Sequence, residues 1–206
     1  GVDFRLLSAK ATEAGVAVLE AADGRVKAAR DGVPDVFFRL NKPGAVKGRE
    51  CGNGVVITHA DGWETKYCHM KRGSVAVSRF QYVKRGQKIG LIGFSGMADF
   101  AHVHMSVRHN GEIVDPFAPD APKGACGLTA KDHSLWEPSV VAQFGYRNGE
   151  IIGTGFTASP PDPNSLELDH TALAAMRPDS PALLFYARFI NLLAGDRVRL
   201  LVSGPG

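Results

Sequence analysis

The chain has 206 residues, of which 44% are hydrophobic and 22% charged, and a formal net charge of +3. That length admits one large or two small domains, and the composition is ordinary for a globular protein. No apolar run approaches the ~18 residues of a membrane span, and no Lys/Arg block argues for nucleic acid.

Twenty-four glycines and 12 prolines favour many short strands joined by turns. No signal peptide is visible. The abrupt opening Gly1-Val2-Asp3-Phe4 and the closing turn Ser203-Gly204-Pro205-Gly206 read as the middle of a longer protein. Gly15 to Arg30 reads as a hairpin turned at Asp23-Gly24. Asp31-Gly32-Val33-Pro34 is a turn before the apolar run Val36-Phe37-Phe38, and 41–49 is a polar loop. Gly54 to His59 is a strand, Asp61-Gly62 turns it, and Trp63 to His69 returns. Val75, Val77 and Val83 flank Ser78-Arg79-Phe80-Gln81. Lys84-Arg85-Gly86-Gln87 turns into Lys88 to Gly93, and the loop Gly93-Phe94-Ser95-Gly96 leads to Ala101-His102-Val103-His104-Met105-Ser106-Val107. Arg108-His109-Asn110-Gly111 turns into Glu112-Ile113-Val114, and Asp115-Pro116-Phe117 closes the unit. The turn spacing is that of an antiparallel sandwich or barrel.

Residues 118–131, rich in Pro, Ala, Gly and Lys, read as a linker. Two domains are therefore expected, 1–122 and 123–206. In the second, Val140 to Tyr146 alternates, Asn148-Gly149 turns, and Ile151 to Phe156 returns. Asp169 is placed to cap a short helix through Met176. Pro181 to Ile190 reads as a strand, and Val198, Leu200 and Val202 alternate against Arg197 and Arg199. The expectation is a small β-sandwich of unknown role.

The three cysteines form no Cys-x-x-Cys pair of the zinc type. Cys51 and Cys68 flank one hairpin, leaving Cys126 odd. A tight turn at Asp61-Gly62 sets Cys68 opposite position 55, with Cys51 roughly 13 Å further along the strand. A disulfide needs Cα atoms within about 7 Å, so a bridge requires a bulge or a curled strand start at Gly52-Asn53-Gly54.

The chemistry centres on His102-Val103-His104. On a strand, side chains i and i+2 share a face, which sets two imidazoles side by side. One can hold a metal while the other handles a proton; a buried pair satisfied by backbone groups is the bland alternative. Of the other histidines, His59 at a hairpin mouth and His109 in a turn read as structural, and His133 and His170 lack suitable neighbours. His69 ends a strand and faces opposite to Cys68. A third group near a metal would be Asp, Glu or His, and Asp3 is one acid among many. The Gly93–Gly96 loop is not a Gly-x-Ser-x-Gly nucleophile elbow, because position 97 is Met. Ser95 reads as a turn residue.

Cys51-Gly52-Asn53-Gly54-Val55-Val56-Ile57, Gly62-Trp63-Glu64-Thr65-Lys66-Tyr67-Cys68-His69-Met70, Val83-Lys84-Arg85-Gly86-Gln87-Lys88-Ile89-Gly90, Gly93-Phe94-Ser95-Gly96, His102-Val103-His104-Met105 and Val114-Asp115-Pro116 occur in this order. Together they resemble the M23 family of zinc metallopeptidases, the lysostaphin and LytM type of peptidoglycan endopeptidase. The resemblance covers about residues 1–117. It implies a mainly β, antiparallel lysostaphin-like domain, a Zn2+ cofactor, a peptide cross-bridge of peptidoglycan as substrate and a periplasmic or extracellular location. It also implies Asp3 and His104 as metal ligands and His69 and His102 as catalytic histidines. The family's first zinc histidine falls four positions before Asp3, ahead of Gly1. Departures are small: Ala101 precedes the first histidine, and Met105 replaces an aromatic. The competing expectations are a non-catalytic M23-like module that binds or regulates other wall hydrolases, and a wall-binding protein whose active part is the second unit.

Overall fold

The computed structural model describes residues 1–42, 44–122, 133–145, 149–169, 176–201 and 203. In chain order the strands and helices are β1 Val2–Arg5, β2 Ala17–Leu19, β3 Gly24–Arg30, β4 Asn53–Thr58, β5 Trp63–Met70, β6 Tyr82–Val83, β7 Lys88–Leu91, β8 His102–His109, β9 Glu112–Val114, α1 Pro138–Phe144, β10 Glu150–Thr157, α2 Pro163–Leu168 and β11 Leu184–Ile190. The architecture is mainly antiparallel β, as the turn spacing predicts.

A seven-stranded sheet runs β1-β8-β5-β4-β3-β6, with β9 pairing β8 beyond the end of β1. Its alternation is clean. Val103, Met105 and Val107 of β8, Tyr67 of β5, Val55 and Ile57 of β4 and Val26 of β3 turn to one face and form the core. Each such side chain contributes roughly 1.5–3 kcal/mol on leaving water. The opposite face carries His104, Cys68, Lys66 and Glu64, with Cys68 in register with His104 and Lys66 with Ser106. β2 and β7 form a separate ladder.

This corrects the hairpin expected over Gly15–Arg30. β2 pairs β7, and β3 pairs β4 and β6, so the two segments lie in different sheets. The divergence occurs at Glu20, whose side chain is fully buried. Its Oε1 accepts from the Tyr67 hydroxyl at 3.1 Å and from the Ala22 N–H. The Glu20 N–H donates to Gln87 O. These bonds anchor the connection under β5 rather than leaving it as an exposed turn.

After residue 132 the expectations hold in part. β10 and β11 pair antiparallel, and they cover the two strands read at Ile151–Phe156 and Pro181–Ile190. Of the segment Val140 to Tyr146, read as a strand, Val140 to Phe144 lie in helix α1, started by Pro138 at its first position, where the missing N–H costs nothing, and Tyr146 lies outside the described residues. The helix expected from Asp169 through Met176 falls almost wholly outside the described residues, and a helix that was not expected, α2, precedes it. Asp162 caps α2 by accepting from the Ser165 N–H, and Asp169 closes it. Among the described residues this segment forms one two-stranded sheet and two short helices, not two facing sheets, and 197–201 carry no strand. Cys126, Asn148, His170 and most of the expected linker lie outside the described residues. No helix among the described residues is long and apolar enough to cross a membrane.

The later elements pack on β1 and the turn after it. Phe4 makes edge contacts with Trp136 and Phe144. The Ala9 N–H donates to Glu167 O, and Lys10 pairs with Asp169 at 2.7 Å.

Candidate metal and catalytic site

His102, His104 and Ser106 emerge from one face of β8, because Val103, Met105 and Val107 are committed to the core. β1 lies antiparallel against β8 with Asp3 opposite His104 and Arg5 opposite His102. This register carries a carboxylate from the start of the chain to the histidine pair. Asp3 Oδ1 lies 2.6 Å from His104 Nδ1 and 3.7 Å from His102 Nε2. The other ring nitrogen of His104 is 3.1 Å from the Ser106 hydroxyl.

His69 reaches the group by a different route. Cys68 faces His104, so plain alternation sends His69 to the core side with Tyr67. Instead His69 takes φ 62°, a left-handed conformation rare for a residue with a Cβ. Its N–H donates to Cys51 O at 2.8 Å rather than continuing the ladder. The ring then lies 4.7 Å from that of His102 and 6.2 Å from that of His104, centroid to centroid. The disulfide Cys51–Cys68, with Cα atoms 4.8 Å apart, joins the two strands at this point. A register shift between Asn53 and Val55 and a positive φ at Gly52 close the gap that uniform strands would leave.

Two carbonyls fix the tautomers of the catalytic candidates. His69 Nδ1 is 2.8 Å from Ser95 O, and His102 Nδ1 is 2.9 Å from Phe100 O. A carbonyl only accepts, so each Nδ1 carries the proton and each Nε2 keeps its lone pair while the ring is neutral. Burial favours that neutral form. It pushes His69 down to about 4, against the opposing Ser95 bond. It also lowers His102, against Phe100 O and Asp3. Burial alone would raise Asp3, but the His104 hydrogen bond and the surrounding imidazoles hold it below the usual carboxylate value.

Ser95 and Phe100 are the residues that sequence reasoning did not assign. Ser95 is fully buried. Its hydroxyl donates to Met70 O at 2.7 Å and accepts from the Asn53 N–H, which fixes the carbonyl that orients His69. A small hydroxyl in a Gly-rich loop carries no sequence mark of such a role. Of the remaining histidines, His59 bonds Thr65 Oγ1 and Asp23 O, the structural use expected. His109 lies on β8 stacked on Trp63 at 4.3 Å, not in a turn. His133 lies 3.6 Å from Asp120 at the surface.

The chemistry of the donors suits a divalent cation. Asp3 Oδ1 and His104 Nδ1 share a proton at 2.6 Å here; with that proton released, carboxylate oxygen and imidazole nitrogen are both donors that a divalent cation takes. With Nδ1 as ligand, the Nε2–H of His104 donates to Ser106 Oγ, the outer hydrogen bond such histidines make. The described residues contain no group of three or more His, Cys, Asp or Glu placed to hold a metal ion. A groove of about 620 Å³ opens beside Asp3, lined by Phe4, Leu7, Phe144, Ile152 and Ile190 among others.

Residues 10–116 match the family model described as Peptidase family M23. The chain belongs to that family. Among curated relatives, the DD-carboxypeptidase/endopeptidase Mpg of Neisseria meningitidis is 36% identical over 47% of this chain and 20% of its own length. The peptidoglycan DD-endopeptidase ShyB of Vibrio cholerae is 32% identical over 59% of this chain and 23% of its own. The cell division protein DipM of Caulobacter vibrioides is 32% identical over 52% and 15%. The chain thus spans a quarter or less of these relatives. Among solved structures, a zinc-containing peptidase from Vibrio cholerae aligns over 52% of this chain and 28% of its own, at 28% identity. Its TM-score is 0.39, too low for the overlay to add to the sequence match. In this M23 chain, Asp3 lies ahead of the matched residues, while His69, His102 and His104 lie within them.

Proposed function

We propose that this M23 chain is the core of a zinc-dependent endopeptidase that hydrolyses peptide cross-links of bacterial peptidoglycan, in the periplasm or outside the cell. The observation that carries the reading is the convergence of Asp3 Oδ1 and His104 Nδ1 at 2.6 Å, with two Nδ1-protonated histidines beside them. Relatives named as peptidoglycan DD-endopeptidases supply the substrate class. The disulfide suits an oxidising compartment.

Asp3 and His104 would hold the cation, together with the histidine that the family places four positions before Asp3. Bound there, a divalent cation polarises a scissile carbonyl and acidifies water towards neutrality. The rest falls to the histidines. His102 Nε2, on the Asp3 side, accepts a proton from the attacking water. The His69 ring, tilted against it at 4.7 Å, presents its own Nε2 as the second proton carrier, and the proton taken from the water is the one delivered to the leaving amine, which returns both rings to neutral. Their tied Nδ1 atoms keep both lone pairs aimed without reorganisation.

The second reading is a non-catalytic module that binds or regulates other wall hydrolases. Zinc content by atomic absorption and peptide release from purified peptidoglycan separate the two. The enzyme reading expects His104→Ala to lose metal and activity, and His69→Ala and His102→Ala to lose activity with most metal retained. Normal cleavage by His104→Ala would rule it out.

A further inference from the structure

Glu167 ties the segment after residue 132 to the strand that carries Asp3. Glu167 of α2 accepts from Arg5 Nη2 at 2.8 Å on Oε2, and from Arg188 of β11 on Oε1. The three side chains are 12–17% exposed, so this is a largely dehydrated bidentate anchor rather than a surface pair. Arg5 lies on β1 two residues after Asp3 and directly opposite His102. Its guanidinium is 4.7 Å from the centroid of the Phe100 ring. That ring stacks on His102 at 4.2 Å with an interplanar angle of 26°. The carbonyl of the same residue accepts from His102 Nδ1–H.

Phe100 therefore touches His102 twice, by its ring and by its carbonyl, and Arg5 bears on it from β1. An unanchored arginine has several rotatable bonds and its position would be averaged. Glu167 removes that freedom. We propose that Glu167 is a positioning residue for His102: it fixes Arg5 over Phe100 and so holds the orientation and tautomer of the His102 imidazole. The C-terminal segment then completes the site rather than being merely appended to it. The inference rests on the reading of His102 as a proton carrier in an endopeptidase.

The test has two readouts. The first is the ring-nitrogen NMR spectrum of histidine-labelled, chelator-treated protein, at a pH above the imidazole range, where His102 should show one Nδ1–H tautomer with a slowly exchanging proton. The second is kcat and KM for peptide release from peptidoglycan. Glu167→Ala and Phe100→Leu are each expected to give mixed tautomers or fast exchange at His102. Both should lower kcat about tenfold with KM within about twofold. Glu167→Gln, which keeps an acceptor for Arg5, should restore most of both. Asp169→Asn removes the Lys10 ion pair and is expected to change neither, which separates positioning from simple docking. An unchanged His102 spectrum in both Glu167→Ala and Phe100→Leu, or the same change in Asp169→Asn, would overturn the proposal. If the wild type releases no peptide, the endopeptidase reading fails, and the spectra alone decide the linkage.

Discussion

The His69 N–H donates to the carbonyl of Cys51, the residue whose sulfur is bonded to Cys68. One covalent link and one hydrogen bond thus hold the point where β5 leaves its ladder and His69 turns towards His102. The bridge closes a loop of sequence separation 17. Replacing both cysteines by serine should cost about 3 kcal/mol of stability. It should also release the His69 turn, so peptide release should fall further than zinc content. Urea titration with a metal assay on the same preparation checks both.

Gly52 faces the same point. Its φ is 63°, and a Cβ there would collide with the Ser95 carbonyl oxygen that accepts from His69 Nδ1–H. Both the backbone conformation and the collision resist a side chain. Gly52→Ala should destabilise by about 2 kcal/mol or more and move Ser95 O off His69 Nδ1. The measurement is thermal melting together with the His69 ring-nitrogen spectrum. Wild-type behaviour in both would show that the loop relaxes freely.

Glu20 sets a pH dependence. Burial raises its pKa, against the Ala22 N–H, His59 and Tyr67, and its Oε2 has no hydrogen-bond partner among the described residues. A carboxyl raised on folding contributes stability that is complete below its unfolded value, near 4.5, and is lost as pH rises through the folded value. Glu20→Gln lacks that titration. The stability of wild type relative to Glu20→Gln should therefore fall as pH rises from mildly acidic to neutral. Paired urea melts across that range test it; a flat difference would contradict it.

Ser106 tunes the proposed ligand His104 through its hydroxyl at 3.1 Å. Ser106→Ala should weaken zinc binding about 10–100-fold while leaving the fold intact, because the side chain lies on the open face of β8. Competition with a chromophoric chelator gives the affinity. Full chelation should abolish peptide release in both proteins, and added zinc should restore it.

Much of the first sheet was legible because strand alternation and turn residues act locally. His102-Val103-His104 could be assigned to one face from spacing alone. Asp3 could not: its place opposite His104 depends on strand pairing across about a hundred residues, and only the resemblance to M23 peptidases singled it out. His69 shows the reverse limit. Regular alternation put it on the wrong face, and a single left-handed residue, braced by a disulfide that uniform strands would not permit, brought it over. The Gly15–Arg30 hairpin failed for a similar reason, since a buried Glu20 outweighed a good turn sequence. After residue 132 the apolar alternation of Val140–Tyr146 points to a strand, whereas Pro138, with its fixed φ and missing N–H, starts a helix that runs to Phe144.

β1 is only four residues long, forms the border of its sheet, and carries the acidic half of the convergence point. Prising it away breaks one short ladder, the Phe4 contacts with Trp136 and Phe144 and the Arg5–Glu167 pair, while the ladders that join β5, β4 and β3 stay closed. Partial opening of that border is therefore cheaper than melting the molecule. Heat should silence this protein at temperatures where most of its backbone amides still resist exchange with deuterium, and the first amides to exchange should be those on either side of Asp3.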